Sequence, residues 1–244
     1  MSKKVLLING SCRKKNTYNI LIQIAEMLKN HNIGTEILNL FDYDIKHCIG
    51  DDDSCIKKGD CSQKNDDMQM IRQKILDSDG VVLSSPVYLS GVTSKFKAFA
   101  DRTNGWFHKP APVGMPVLFV VTTAVTGIKE TVHFIDQLTT GWGARKGGVI
   151  TRANKSFNVP VEEKELSRFI TMLQEDKKYY RPEMNEIVIF EVQKVMAQKS
   201  DGDDRRFWEA RKWLDKCYYY DCKMGIAKKL FSKMMFRILS RAIK

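Results

Sequence analysis

The chain has 244 residues, 43% of them hydrophobic, and a formal charge of +11, which allows one good core and an appendage. No apolar run approaches the roughly 20 residues of a membrane span. Met1-Ser2-Lys3-Lys4 leads into an apolar stretch too short for a secretory h-region, so a cytoplasmic protein is expected. Seven cations crowd between Lys223 and Lys244 without an acid, and the body is only mildly basic, which argues against nucleic acid as a partner.

In chain order, apolar runs alternate with helical patterns. Val5–Asn9 reads as a buried strand, 16–31 as a helix with Ile20, Leu21, Ile24, Ala25 and Leu28 at helical spacing, and 34–40 as a second strand. A polar, cysteine-bearing loop runs from Phe41 to about Asn65. Asp66 and Asp67 open a helix over 66–78. A strand at 80–84 is followed by a helix at 92–102. The most apolar strand, PVLFVVT at 116–122, leads to a helix at 128–141, a fifth strand at 144–150 and a helix from Glu162 to about Tyr180. Strands separated by such helices point to βαβ units and a parallel sheet. The expectation is an α/β fold, a doubly wound five-stranded parallel sheet in a three-layer sandwich. The domain boundaries are set at 1–181 for the sheet and 182–244 for a helical extension, in which only EIVIF at 186–190 is strand-like.

The first strand ends in NGSCRKKNT, Asn9–Thr17. A helix N-terminus offers unpaired N–H groups and a partial positive charge, which suit a phosphate. Ser11, Asn16 and Thr17 supply short donors, and Arg13 a charged fork. The same residues would also make an ordinary βα turn with Asn16 or Thr17 as N-cap. Neither the GxxxxGK[ST] loop nor the GxGxxG fingerprint is present, so a monophosphate cofactor fits better than ATP or a dinucleotide.

A second stretch, SSPVYLSGVTSKFKAFADR at 84–102, follows strand three. Together the two loops resemble the flavodoxin-like NADPH-dependent FMN reductase and iron–sulfur flavoprotein family, over roughly residues 3–150. The resemblance implies a flavodoxin-like fold and bound FMN. Its phosphate would lie at Ser11, Arg13, Asn16 and Thr17. Its ring would lie along Pro86, Val87, Tyr88, Leu89 and Ser90, and the loop at Thr122, Thr123 and Ala124 would close the other side. Relative to the family pattern, Cys12 takes the place of a proline and the first loop is one residue shorter.

Cys48, Cys55 and Cys61 lie where iron–sulfur relatives carry four closely spaced cysteines. A cubane cluster takes four thiolates. Here the remaining position falls on Asp51 or Asp52, with Gly59 between the last two thiols, so a [4Fe–4S] cluster is not expected. Paired CxxC spacing for zinc is absent too, and no resident metal is expected. Cys217 and Cys222 flank an aromatic packing segment.

On a helical wheel, Lys229, Lys233, Arg237, Arg241 and Lys244 occupy one arc. Ala227, Phe231, Met234, Met235, Ile238, Leu239 and Ala242 occupy the other. Such a helix suits packing on its own or another subunit, or an anionic membrane surface. The resemblance also implies a homo-oligomer, with Trp106-Phe107-His108 as a candidate contact.

The functional expectation is an FMN-dependent oxidoreductase in which NADH or NADPH serves as transient reductant and a quinone, flavin, metal or other small-molecule or protein acceptor takes the electrons. No acid–base residue is assigned. A carrier between protein partners, docked by the basic helix, is the alternative. A third reading keeps the fold without the cofactor and leaves a tail-driven membrane or scaffold protein.

Overall fold

A computed structural model describes residues 3–51, 54–55, 61–200 and 202–243; Met1, Ser2, Asp52, Gly59 and Lys244, named above, lie outside them. Five strands, β1 (Lys4–Asn9), β2 (Gly34–Asn39), β3 (Gly80–Pro86), β4 (Pro116–Thr123) and β5 (Arg145–Ala153), form one sheet in the order β2-β1-β3-β4-β5. Every pairing is parallel, with Val5 opposite Thr35 on one side and Gly80 on the other. Side chains alternate across the pleat. Leu6, Ile8, Val81 and Leu83 therefore join the core under α2 (Met68–Leu76), α3 (Ser94–Asp101) and α5 (Ile128–Gly141). Val5, Leu7 and Val82 join the core under α1 (Asn16–Asn30) and α6 (Glu163–Gln174). All of β4 is buried, as a central parallel strand requires. The order of elements and layers is the doubly wound arrangement expected from the sequence.

Local readings change: β5 runs three residues past its expected end, to Ala153, and α2 is two residues shorter at each end. α3 begins at Ser94, because Thr93 caps it by accepting from the Phe96 N–H at 3.3 Å. α6 ends at Gln174, where Glu175 turns extended (ψ 150°), and a short 3-10 turn follows at Lys177–Tyr179. EIVIF is not a strand. It lies inside α7 (Met184–Lys199), which is covered on nearly every side.

The chain after Pro182 builds a third cluster from Phe190, Trp208, Trp213, Tyr218 and Tyr219, in which the Phe190 and Tyr219 rings meet at 4.8 Å. Cys217 and Cys222 pack at its margin, as expected, and burial pushes the Cys222 thiol up to about 11. Helix α8 (Asp203–Ala210) sits against α4 (Gly105–His108). Asp204 meets His108 Nδ1 at 3.1 Å, and the Trp208 indole donates to the His108 carbonyl at 2.9 Å. Within the Trp106–His108 segment, His108 is thus held by this chain's own extension, and Trp106 is buried against Trp142.

Glu186, at the start of α7, accepts from the Tyr180 hydroxyl at 2.8 Å. Burial pushes its carboxyl up to about 7, although the Glu183 amide and that hydroxyl oppose the rise. The folded chain then holds a proton that the unfolded chain sheds above its ordinary value of 4.5. Stability falls as pH rises from there to about 7 and is level beyond. Glu186→Gln is expected to flatten this limb and to raise stability at pH 8 by at most about 3 kcal/mol, measured by urea denaturation across pH.

Candidate functional site

Asn9 closes β1 and organises the turn after it. Its side-chain amide donates to the Ser11 carbonyl at 3.1 Å and to Asn39 at 3.0 Å, and its carbonyl oxygen accepts the Ser11 N–H at 3.2 Å. Gly10 is pressed against β3: its N–H donates to the Ser84 carbonyl at 2.8 Å, and an added Cβ would stand 2.6 Å from that oxygen. The Thr93 hydroxyl donates to the Gly10 carbonyl at 2.7 Å, which ties the first loop to the second. The N-cap of α1 is Lys15, which makes no side-chain cap. Neither Asn16 nor Thr17 acts as the cap, so the first turn of α1 presents its N–H groups uncapped to the cleft, the arrangement that accepts an anion.

The cleft holds about 210 Å³ and lies beyond the carboxyl ends of β1, β3 and β4. Of the first loop, Ser11, Arg13, Lys15, Asn16 and Thr17 line it. The Thr17 and Thr122 hydroxyls meet at 2.7 Å and join α1 to the end of β4. Pro86, Val87 and Tyr88 line the facing wall, and Thr122, Thr123 and Ala124 the floor. Thr123 shapes that loop by donating to the Thr126 carbonyl at 2.6 Å. Arg13 hydrogen-bonds Tyr88 across the opening, and this contact raises its guanidinium pKa.

Leu89 and Ser90 do not line the cleft. They form the tip of a tight hairpin in which Tyr88 and Gly91 exchange hydrogen bonds of 2.8 and 3.0 Å, and both take left-handed backbone (φ 48° and 61°). Such turns favour Asn-Gly; a side chain in this region costs about 1–2 kcal/mol, here held by the closing pair. Leu89 is fully exposed at the tip.

Two lining residues were not singled out in the sequence. Lys15 sits within the quoted loop. Phe157, in the turn that follows β5, also lines the cleft; no local pattern announces it.

Gly127 supports the facing wall. It takes φ 88°, and a Cβ there would lie 2.6 Å from Val87 Cγ1 and 2.9 Å from Ser90 Cα. Gly127→Ala is expected to lower stability by about 1 kcal/mol through the strained backbone and, by pushing the 86–91 hairpin outward, to weaken FMN binding. Fluorescence titration with FMN measures it.

The cysteine loop is organised by Arg102, which is buried. Its guanidinium forms an ion pair with Asp66 and donates to the carbonyls of Lys46 (3.0 Å) and Gln63 (2.8 Å) and to Cys61 Sγ (3.2 Å). All six cysteines are outside disulfides. Cys48, Asp51, Cys55 and Cys61 face a common small cavity with Arg102. Among the described residues, no three His, Cys, Asp or Glu side chains are gathered as metal ligands. With three thiols in the loop and one receiving a guanidinium N–H, the donor set does not match a four-thiolate cluster.

The donors of the main cleft do suit FMN: a helix N-terminus and an arginine for the phosphate, and a proline–tyrosine wall for a flat ring. Comparison with known proteins agrees. A curated iron–sulfur flavoprotein of Archaeoglobus fulgidus is 44% identical over 100 residues, which cover 41% of this chain and 48% of that one. The first three curated relatives are matched over about half to two-thirds of their own length. An iron–sulfur flavoprotein of Clostridioides difficile is 28% identical over 66% of this chain and 72% of its own. Among solved structures, RosB with a bound 8-demethyl-8-formylriboflavin-5'-phosphate superposes with a TM-score of 0.55 at 15% identity, covering 71% of this chain and 77% of that one. Apo NADH:FMN oxidoreductase (EMOB) gives 0.51 at 18% identity, covering 71% and 87%. These two show the shared fold. The family model for NADPH-dependent FMN reductase matches residues 3–151, and the chain belongs to that family of FMN-dependent oxidoreductases.

Proposed function

We propose that the chain binds FMN in this cleft, takes reducing equivalents from NADH or NADPH, and delivers them to a quinone, flavin, metal or other small acceptor. The observation that carries the reading is one cleft lined both by an uncapped helix N-terminus with Arg13 and by the Pro86–Tyr88 segment. Bound FMN supplies the hydride and electron chemistry. Ser11, Arg13, Asn16 and Thr17 hold its phosphate, and Lys15 adds charge beside them. Pro86, Val87 and Tyr88 orient the ring against Thr122, Thr123 and Ala124. Leu89 and Ser90 act at one remove, by fixing the hairpin that presents Tyr88. Phe157 adds an apolar side chain to the lining. Residues 1–181 form the FMN-binding domain and 182–244 a helical extension, in a homo-oligomer.

The test is the visible spectrum of purified protein, followed by chromatography of the heat-released chromophore and by NADH and NADPH oxidation with quinone or ferricyanide. Twin flavin bands, released FMN and turnover are expected. Protein that neither carries nor takes up FMN overturns the reading. Bound FMN without turnover favours the electron carrier between protein partners.

A further inference from the structure

Helix α9 (Ile226–Ala242) carries five cations and no acid, and the FMN cleft does not use it. Its inner side is fixed to the body. Ser232 donates to the buried Glu191 carboxylate at 2.5 Å, Glu191 pairs with Lys194 at 2.6 Å, and the Lys194 ammonium lies 4.8 Å from the Phe236 ring centroid. Lys228 reaches the Pro182 carbonyl, and Lys199 donates to the Ile243 carbonyl at 2.5 Å. This packing uses only part of the apolar side expected from the sequence. Met234, Ile238, Ala227 and Ala242 point to solvent instead.

The outer side carries four large apolar residues at intervals of four: Ile226, 80% exposed; Leu230, 62%; Met234, 49%; and Ile238, 52%. Lys229, Lys233, Arg237 and Arg241 are exposed beside them. No acid among the described residues pairs with these four cations. At 100° per residue, the apolar and cationic sets each sweep about 120° and overlap by half. No helix among the described residues is long and apolar enough to cross a membrane.

We propose that the outer side of α9 docks the protein flat on an anionic phospholipid surface. Such a surface satisfies both sets at once: headgroup charge for the cations, and the acyl boundary for the four apolar side chains. A second copy does not, since pairing α9 with itself sets cation against cation with no acid in either helix. A nucleic acid satisfies the cations and leaves the apolar stripe against phosphate. Because the inner side stays locked to α7, the helix binds without leaving the body.

The experiment is flotation of the full chain with phosphatidylglycerol-containing vesicles and with pure phosphatidylcholine vesicles, across a salt series. Binding to the anionic vesicles alone, falling as salt shortens the Debye length, is expected. Leu230→Ser with Ile238→Ser is expected to lower partitioning at least tenfold, and each of Lys229, Lys233, Arg237 and Arg241 changed to Gln about fivefold. Unaltered thermal unfolding by circular dichroism shows that these exposed changes leave the fold intact. Three results overturn the proposal: no vesicle binding at low salt; binding unaffected by the apolar pair, which marks a bare polyanion contact that duplex DNA would compete for equally; or an α9-dependent dimer in sedimentation with no vesicle binding.

Discussion

Arg102→Leu is expected to destabilise the chain by about 3–5 kcal/mol, the usual consequence of stranding one member of a buried ion pair. The Arg102 and Asp66 side chains are each 1% exposed. Removing the guanidinium leaves the carboxylate without its cation, and Lys46, Gln63 and Cys61 without their donor. Burial pushes the Asp66 carboxyl up, but the Arg102 hydrogen bond and the Lys46 and Met68 amides outweigh it and hold the group below the ordinary carboxylate range. The depressed value means that this stabilisation is complete at neutral pH and is lost on acidification below the ordinary Asp value of 3.8. Urea denaturation should therefore show a large deficit for Arg102→Leu at pH 7, narrowing toward pH 3. Adding Asp66→Leu should recover part of it, because replacing both members with apolar groups removes the uncompensated charge. Equal stability of wild type and Arg102→Leu at pH 7 would sink this account of the loop.

Arg13→Ala is expected to weaken FMN binding about 10- to 100-fold, the loss of one charge-assisted hydrogen bond to the phosphate. Riboflavin, which lacks the phosphate, should bind wild type and variant within about threefold. Because Arg13 is exposed and its partner in this structure is Tyr88, thermal stability should be unchanged. Titration by flavin fluorescence separates the outcomes. An equal loss for both ligands would mean that Arg13 acts on the ring wall through Tyr88 and not on the phosphate.

The sheet was legible because its central strands, β1, β3 and β4, carry uninterrupted apolar runs, and β4 in particular could be nothing else. The two loops that line the cleft were legible from donor chemistry and from resemblance, and ten of the twelve residues singled out there meet in one cavity. Leu89 and Ser90 fell outside because two consecutive left-handed residues turn them away from it, and Leu-Ser gives no hint of such a turn. EIVIF misled because α7 buries Glu186, Glu191, Gln193 and Lys194 as well as its apolar residues, which erases the helical period on which sequence reading depends. Arg102 could be seen in the motif but its role could not, since its partner lies 36 positions away. The same holds for Phe157, which follows β5 and lines the cleft with residues more than 30 positions away.

The grip of Arg102 on both feet of the cysteine loop has a further consequence. Lys46, Gln63, Cys61 and Asp66 all meet one guanidinium, so the two ends of the loop and the approach to α2 are fastened at a single point, the C-cap of α3. One substitution there releases all of them together.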